Sequence, residues 1–170
     1  MQKFHLLYLP PYLLSDLPLF TPNLPLCYND SIMKHEYKQR IYYADTDAYG
    51  VVWHGSYLRL MEAARVEFCR DIGIDLVELR NQDIAIPVTN INIRYKSSAL
   101  LDESVIVETS LIKLTPLTAV FSQTIKNAET EQVHTIAEVE VVAVHNDGKI
   151  YRRLPDELKL KLEGTLLCSV

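Results

Sequence analysis

An α+β domain, with a curved antiparallel β-sheet wrapped around one long central helix, is what the sequence predicts beyond its first 32 residues. Three observations carry this. One segment, residues 56–72, has helical apolar spacing; four Val-, Ile- and Thr-rich segments follow it; and the connections between those segments are short. Short connections suit antiparallel pairing, and the concave face of one sheet can bury a helix that is apolar on several sides.

Taken in order, residues 1–32 stand apart. They hold five of the eight prolines, nine leucines and only Lys3, Asp16 and Asp30 as charges. Prolines 10, 11, 18, 22 and 25 break any helix there, and no apolar run reaches the roughly 20 residues of a membrane span. Neither a signal-peptide pattern nor an Arg-rich transit pattern is present. This stretch is expected to be a poorly ordered or non-native extension, with Met33 as the working start and 33–170 as the folded domain. Residues 36–44 then read as a first strand. The helix spans Ser56 to Ile72, with Leu58, Met61, Phe68 and Ile72 on one face, Leu60, Ala63 and Ala64 widening it, Ser56 as N-cap and Gly73 as stop. Strands are expected at 84–99, 103–114, 118–128 and 134–146, with Asn146-Asp147-Gly148 as a hairpin turn. A short helix follows near 155–163, opened by Pro155.

The chain of 170 residues is long enough for a real core, and 48% apolar against 23% charged residues is the balance of a soluble globular protein. A formal net charge of -5 argues against nucleic acid or an anionic membrane as partner. Cys27, Cys69 and Cys168 are odd in number and widely spaced, which fits reduced thiols in a cytoplasmic protein and no zinc site.

The chemistry concentrates between strand and helix, where Asp45, Asp47, Tyr49, Gly50, Val51, Trp53, His54, Gly55 and Tyr57 fall within a few residues. A calcium loop counted from Asp45 fails, because its twelfth position is Ser56 where a bidentate Glu is required. A helix-capping turn explains an aspartate, Gly50 and Ser56 but not Trp53 and His54. An active site explains all of them. Backbone N–H groups at the helix start polarise a carbonyl, and a carboxylate beside them activates water or attacks directly. The residues alone leave cap and active site both open.

The stretch "DTDAYGVVWHGSYLRLMEAARVEF" resembles the signature of hotdog-fold acyl-CoA thioesterases of the YbgC and 4-hydroxybenzoyl-CoA thioesterase type. That pattern runs Asp-x-Asp-x-x-Gly-Val-Val-aromatic-His-x-x-Tyr-Leu, and the likeness extends over residues 36–163. The resemblance implies that Asp47 is the catalytic carboxylate, as general base or nucleophile, that His54 sits at the helix mouth, and that Asp45 is structural. It also implies substrate contacts from Tyr49, Gly50, Val51, Trp53, Gly55 and Tyr57, and an acyl-CoA substrate with no metal or redox cofactor. A homodimer or homotetramer with the site between protomers is implied too. Tyr49 and Ser56 depart from the usual small residue and Asn. Arg94, Lys96, Arg152 and Arg153 are candidates for the CoA phosphates, Arg65 and Glu67 for helix-flank pairing, and His134 and His145 for exposed strand ends. A hotdog dehydratase or hydratase, and a non-catalytic acyl-CoA-binding module, are the rival functions.

Overall fold

Alternate burial sets the sheet. In Ser104–Leu114 (β3) and Thr118–Asn127 (β4) every second side chain over most of the strand points into the core, the period a half-covered strand requires. The structure, a computed structural model, describes residues 34–166. The extension 1–32, Met33, Cys27 and Cys168 lie outside the described residues. Within them run β1 (His35–Arg40), α1 (His54–Asp71), α2 (Leu76–Asn81), β2 (Val88–Tyr95), β3, β4, β5 (Val133–Val142) and α3 (Asp156–Glu163). The five strands form one antiparallel sheet in the order β1-β3-β4-β5-β2.

Helix α1 lies over β1, β3 and β4. Its first half packs Tyr57, Leu60, Met61 and Ala64 against Val105, Val107, Ile125, Ala137 and Val139. Its second half packs Phe68 and Cys69 against Leu111, Phe121, Val141 and the α3 leucines Leu158 and Leu162. Phe68 is fully buried, with its ring edge-on to Phe121 at 5.5 Å. The expected helix and its burial on several sides are therefore present, and the core face differs in one residue. Leu58 is exposed and Tyr57 takes the inward position.

Four boundaries move for local reasons. The first strand stops at Arg40 because Tyr43–Asp45 coils into a 3-10 turn instead of continuing to 44. Helix α1 starts at His54, so Ser56 is not its N-cap. Trp53 occupies that position with extended backbone, and the buried Ser56 N–H bonds to the Trp53 carbonyl at 2.8 Å. The segment 84–99 pairs as a strand only from Val88, and Ala85 before it pairs instead with Val144. β5 ends at Val142, before the turn at 146–148, where the His145 and Lys149 backbones close the hairpin. Gly73 does end α1, with φ +76 and Ile74 N–H reaching back to the Cys69 carbonyl at 2.7 Å. Helix α2 has no counterpart in the sequence reading; Asp75 caps it by accepting from the Val77 and Glu78 N–H groups.

β2 is an edge strand and exposed along nearly its whole length, with Val88, Ile91 and Tyr95 among the surface apolar residues. Phe68 sits where helix, sheet and α3 meet. Phe68→Ala should lower unfolding stability by about 3–5 kcal/mol, read as a fall in urea midpoint at unchanged slope.

Candidate active site

The turn between β1 and α1 is built on Asp45, whose side chain is 1% exposed. A buried carboxylate needs compensating donors. Arg59, one turn into α1, pairs with Oδ1, and the Tyr42 N–H donates to Oδ2 at 2.9 Å. The Asp45 carbonyl accepts the Trp53 N–H at 2.9 Å. One residue thus fixes both ends of the loop and the angle at which α1 begins. Asp45 is structural, as the resemblance implied.

Between these ends the chain makes a small hairpin. Thr46 and Val52 pair, the Asp47 N–H donates to the Val51 carbonyl, and the Gly50 N–H donates to the Asp47 carbonyl at 3.0 Å. Asp first and Gly last is the arrangement a tight four-residue turn favours. Gly50 has φ +75, which a side chain resists. Asp47 is half-buried; its Oδ1 accepts the Tyr49 N–H at 2.8 Å, and Oδ2 has no hydrogen-bond partner among the described residues. One carboxylate oxygen is anchored and the other is free.

Helix α1 opens directly after this hairpin. The N–H groups of His54 and Gly55 have no acceptor among the described residues, so the positive end of an 18-residue helix is bare there. The His54 ring is exposed and lies 4.8 Å from the Trp53 ring, centre to centre. The Tyr95 hydroxyl donates to the His54 carbonyl at 3.2 Å. Asp47, Gly50 and Val51 thus sit in the hairpin, and Trp53, His54 and Gly55 in the helix start it leads into.

Other expected site residues divide. Tyr49, at the hairpin tip, is 90% exposed and lines no wall of the protomer. Tyr57 is buried, because its hydroxyl accepts the Ala99 N–H at 2.9 Å; in the protomer it offers no surface to a substrate. Burial raises its pKa, the Ala99 bond working the other way. Arg94 and Lys96 flank Tyr95, whose hydroxyl reaches the His54 carbonyl. Arg152 and Arg153 follow Tyr151, whose N–H bonds to the Ala143 carbonyl at the far end of β2, so the four cations form no single patch. Arg65 bonds to the buried Gln123 at 2.6 Å, and Glu67 pairs with Arg70.

His134 is not an exposed strand end: it is 1% exposed. Its Nε2 meets Glu103 at 2.9 Å and its Nδ1 meets the Ser97 hydroxyl at 3.0 Å. Glu103 also accepts from Asn127 and from the Leu100 N–H. This cluster holds the segment 97–103, which in turn pairs with the hairpin before α1: the Val52 N–H donates to the Ala99 carbonyl, and Val51 bridges Leu100. Sequence reasoning had no signal for it, since its members are scattered over four elements. It also missed a cavity of about 210 Å³ beneath the second half of α1, lined by Arg65, Cys69, Val88, Phe121 and Leu158 among others. His145 is anchored on Asp83 at 2.7 Å and stacked on Tyr151.

Comparison with known proteins agrees with this geometry. Residues 42–162 match the family model of the thioesterase-like superfamily. The chain belongs to that superfamily. The acyl-CoA thioester hydrolase YbgC of Escherichia coli is 37% identical over 119 residues, 70% of this chain and 88% of that one. The structure of a DHNA-CoA thioesterase from Staphylococcus aureus superimposes with TM-score 0.70 at 29% identity, covering 77% of this chain and 91% of that one. A 1,4-dihydroxy-2-naphthoyl-CoA thioesterase from Synechocystis gives TM-score 0.70 at 21% identity, over 76% and 95% of the two chains, a likeness of fold. The sheet and central helix are the hotdog fold of this superfamily, as the signature implied.

Two predictions concern the scaffold. Asp45→Ala strands Arg59 and the Tyr42 N–H and should cost about 2–4 kcal/mol in chemical denaturation. Burial pushes the Glu103 carboxyl up, but hydrogen bonds from Asn127, the Leu100 N–H and His134 together hold it below its ordinary value. A depressed carboxylate stabilises the fold fully above its ordinary value of 4.5 and loses that contribution as pH falls through the lower folded value. Glu103→Gln should therefore flatten the acid limb of melting temperature against pH below 4.5.

Proposed function

We propose that the protein is an acyl-CoA thioester hydrolase that releases a carboxylic acid and free CoA, with Asp47 as its catalytic carboxylate. The observation that carries this is a free Asp47 Oδ2 in the hairpin that leads directly into a helix start with two bare N–H groups. The thioester carbonyl oxygen accepts from His54 and Gly55, where the helix dipole favours the charge that develops as the carbonyl becomes tetrahedral. Asp47 either takes the proton of an attacking water or attacks the carbonyl itself to form an anhydride that water then opens. The C–S bond breaks and the electron pair leaves on sulfur. A thiol with an ordinary pKa of about 8.5 leaves without a strong acid, so a site this sparse suffices. In this reading His54 acts through its backbone, and its ring with Trp53 lines the mouth.

An exposed sheet edge supports a homo-oligomer. β2 presents an unpaired, exposed edge carrying Val88 and Ile91, and such edges are ordinarily covered. Antiparallel pairing of two copies about Ile91 and Asn92 would set Val88 of one opposite Tyr95 of the other. The cavity beside Val88 in one protomer would then lie near the helix mouth of its partner, as room for an acyl group. Arg94 and Lys96 are the nearer candidates for the CoA phosphates. No helix among the described residues is long and apolar enough to cross a membrane. The reading includes a cytoplasmic location, in keeping with the free thiol of Cys69, which burial pushes up to about 11.

Thiol release from a panel of aliphatic and aromatic acyl-CoAs tests the function. Wild type should turn over at least one ester, and Asp47→Asn should fall by a factor on the order of 10² while keeping its fold. A wild type that binds CoA esters without releasing thiol, or an equally active Asp47→Asn, would sink the assignment.

A further inference from the structure

Gly55 and Trp53 are in unusual contact. The six-membered ring of the indole lies flush against the Gly55 Cα. A Cβ built there would sit 2.7 Å from Trp53 Cε3 and closer still to Cζ3 and Cη2. Gly55 has an ordinary helical backbone, so its lack of a side chain answers no need for positive φ. What it provides is room. The indole folds back over the first turn of α1, and half of its surface remains open to solvent. The N–H of the residue it rests on is one of the two bare donors. Trp53 cannot drift along the chain, because its own N–H is held by the Asp45 carbonyl.

We propose that Trp53 and Gly55 together form a size filter at the acyl site: Gly55 is the seat that keeps the indole parked, and the parked indole sets how bulky an acyl group reaches Asp47. This rests on the thioesterase reading and adds to it the residue pair that fixes acyl size. A methyl group at position 55 forces the ring to move by roughly 1 Å or more to regain ordinary van der Waals separation. The exposed half of the ring is its way out, and in this proposal the displaced indole swings over the bare helix start and narrows the mouth. Removing the indole removes the obstacle whatever stands at 55.

The test compares wild type, Gly55→Ala, Trp53→Ala and the double variant on acetyl-, hexanoyl- and benzoyl-CoA, reading kcat/KM for each ester and circular dichroism for folding. The ratio of benzoyl to acetyl turnover should fall at least tenfold in Gly55→Ala. It should return to the wild-type ratio or above in the double variant, the non-additivity that marks two residues in contact. Trp53 is the single tryptophan of the chain, so its fluorescence reports the ring directly: emission should shift to longer wavelength in Gly55→Ala without any substrate. If Gly55→Ala does not fold, Trp53→Ala alone decides, since its benzoyl-to-acetyl ratio should rise severalfold. An unchanged ratio in the folded variants, an unmoved emission maximum, or a double variant as impaired as Gly55→Ala overturns the filter while an active wild type leaves the thioesterase reading standing. A wild type that releases no thiol from any ester removes both.

Discussion

Burying the carboxylate of Asp45 is the constraint on which the turn into α1 depends. A charge taken that far from water persists only where donors converge on it, and here two do, one on each oxygen: the Tyr42 N–H from before it in the chain and the Arg59 guanidinium from after it. Arg59 is itself 62% exposed, so the pair is half in water and its cost is contained. Because Asp45 also accepts the Trp53 N–H, the same residue that closes the loop aims the helix. Asp47 keeps one carboxylate oxygen free because Asp45 ties the turn together.

The opposite wall of the loop is held from a distance. Val51 and Val52 are paired with Leu100 and Ala99, and that segment is tied down by Glu103 and His134. His134 begins β5, Glu103 precedes β3, and Ser97 follows β2, so three strand ends meet at one imidazole. The hairpin of residues 46–52 therefore rests on the helix on one side and on the sheet on the other. Its geometry is set by rigid elements although it is a loop.

Much of this was legible in the sequence where a local rule governed it. The period-two burial of β3 and β4, the Gly73 stop and the Asn146-Asp147-Gly148 turn each depend on residues close together in the chain, and each is where the pattern indicated. The Asp-x-Asp signature led to the superfamily and separated a structural aspartate from its free neighbour. What was not legible is what tertiary contacts decide. Ser56 has the composition of a cap, but the hold of Asp45 on Trp53 starts the helix two residues earlier. His134 reads as an ordinary strand-end polar residue until Glu103 and Ser97 arrive from elsewhere in the chain. The scatter of Arg94, Lys96, Arg152 and Arg153 over two ends of the sheet is likewise a matter of topology that spacing does not encode.

The exposed β2 edge has a thermodynamic side as well. Its backbone donors and acceptors on one flank, and apolar residues such as Val88 and Ile91, meet water in the isolated protomer. Whatever covers that edge binds the folded chain and not the unfolded one, so its binding free energy is added to the stability of the fold by mass action. When the cover is another copy of the same chain, the melting point becomes a function of protein concentration. Dilution then loosens the fold and the shared cavity together.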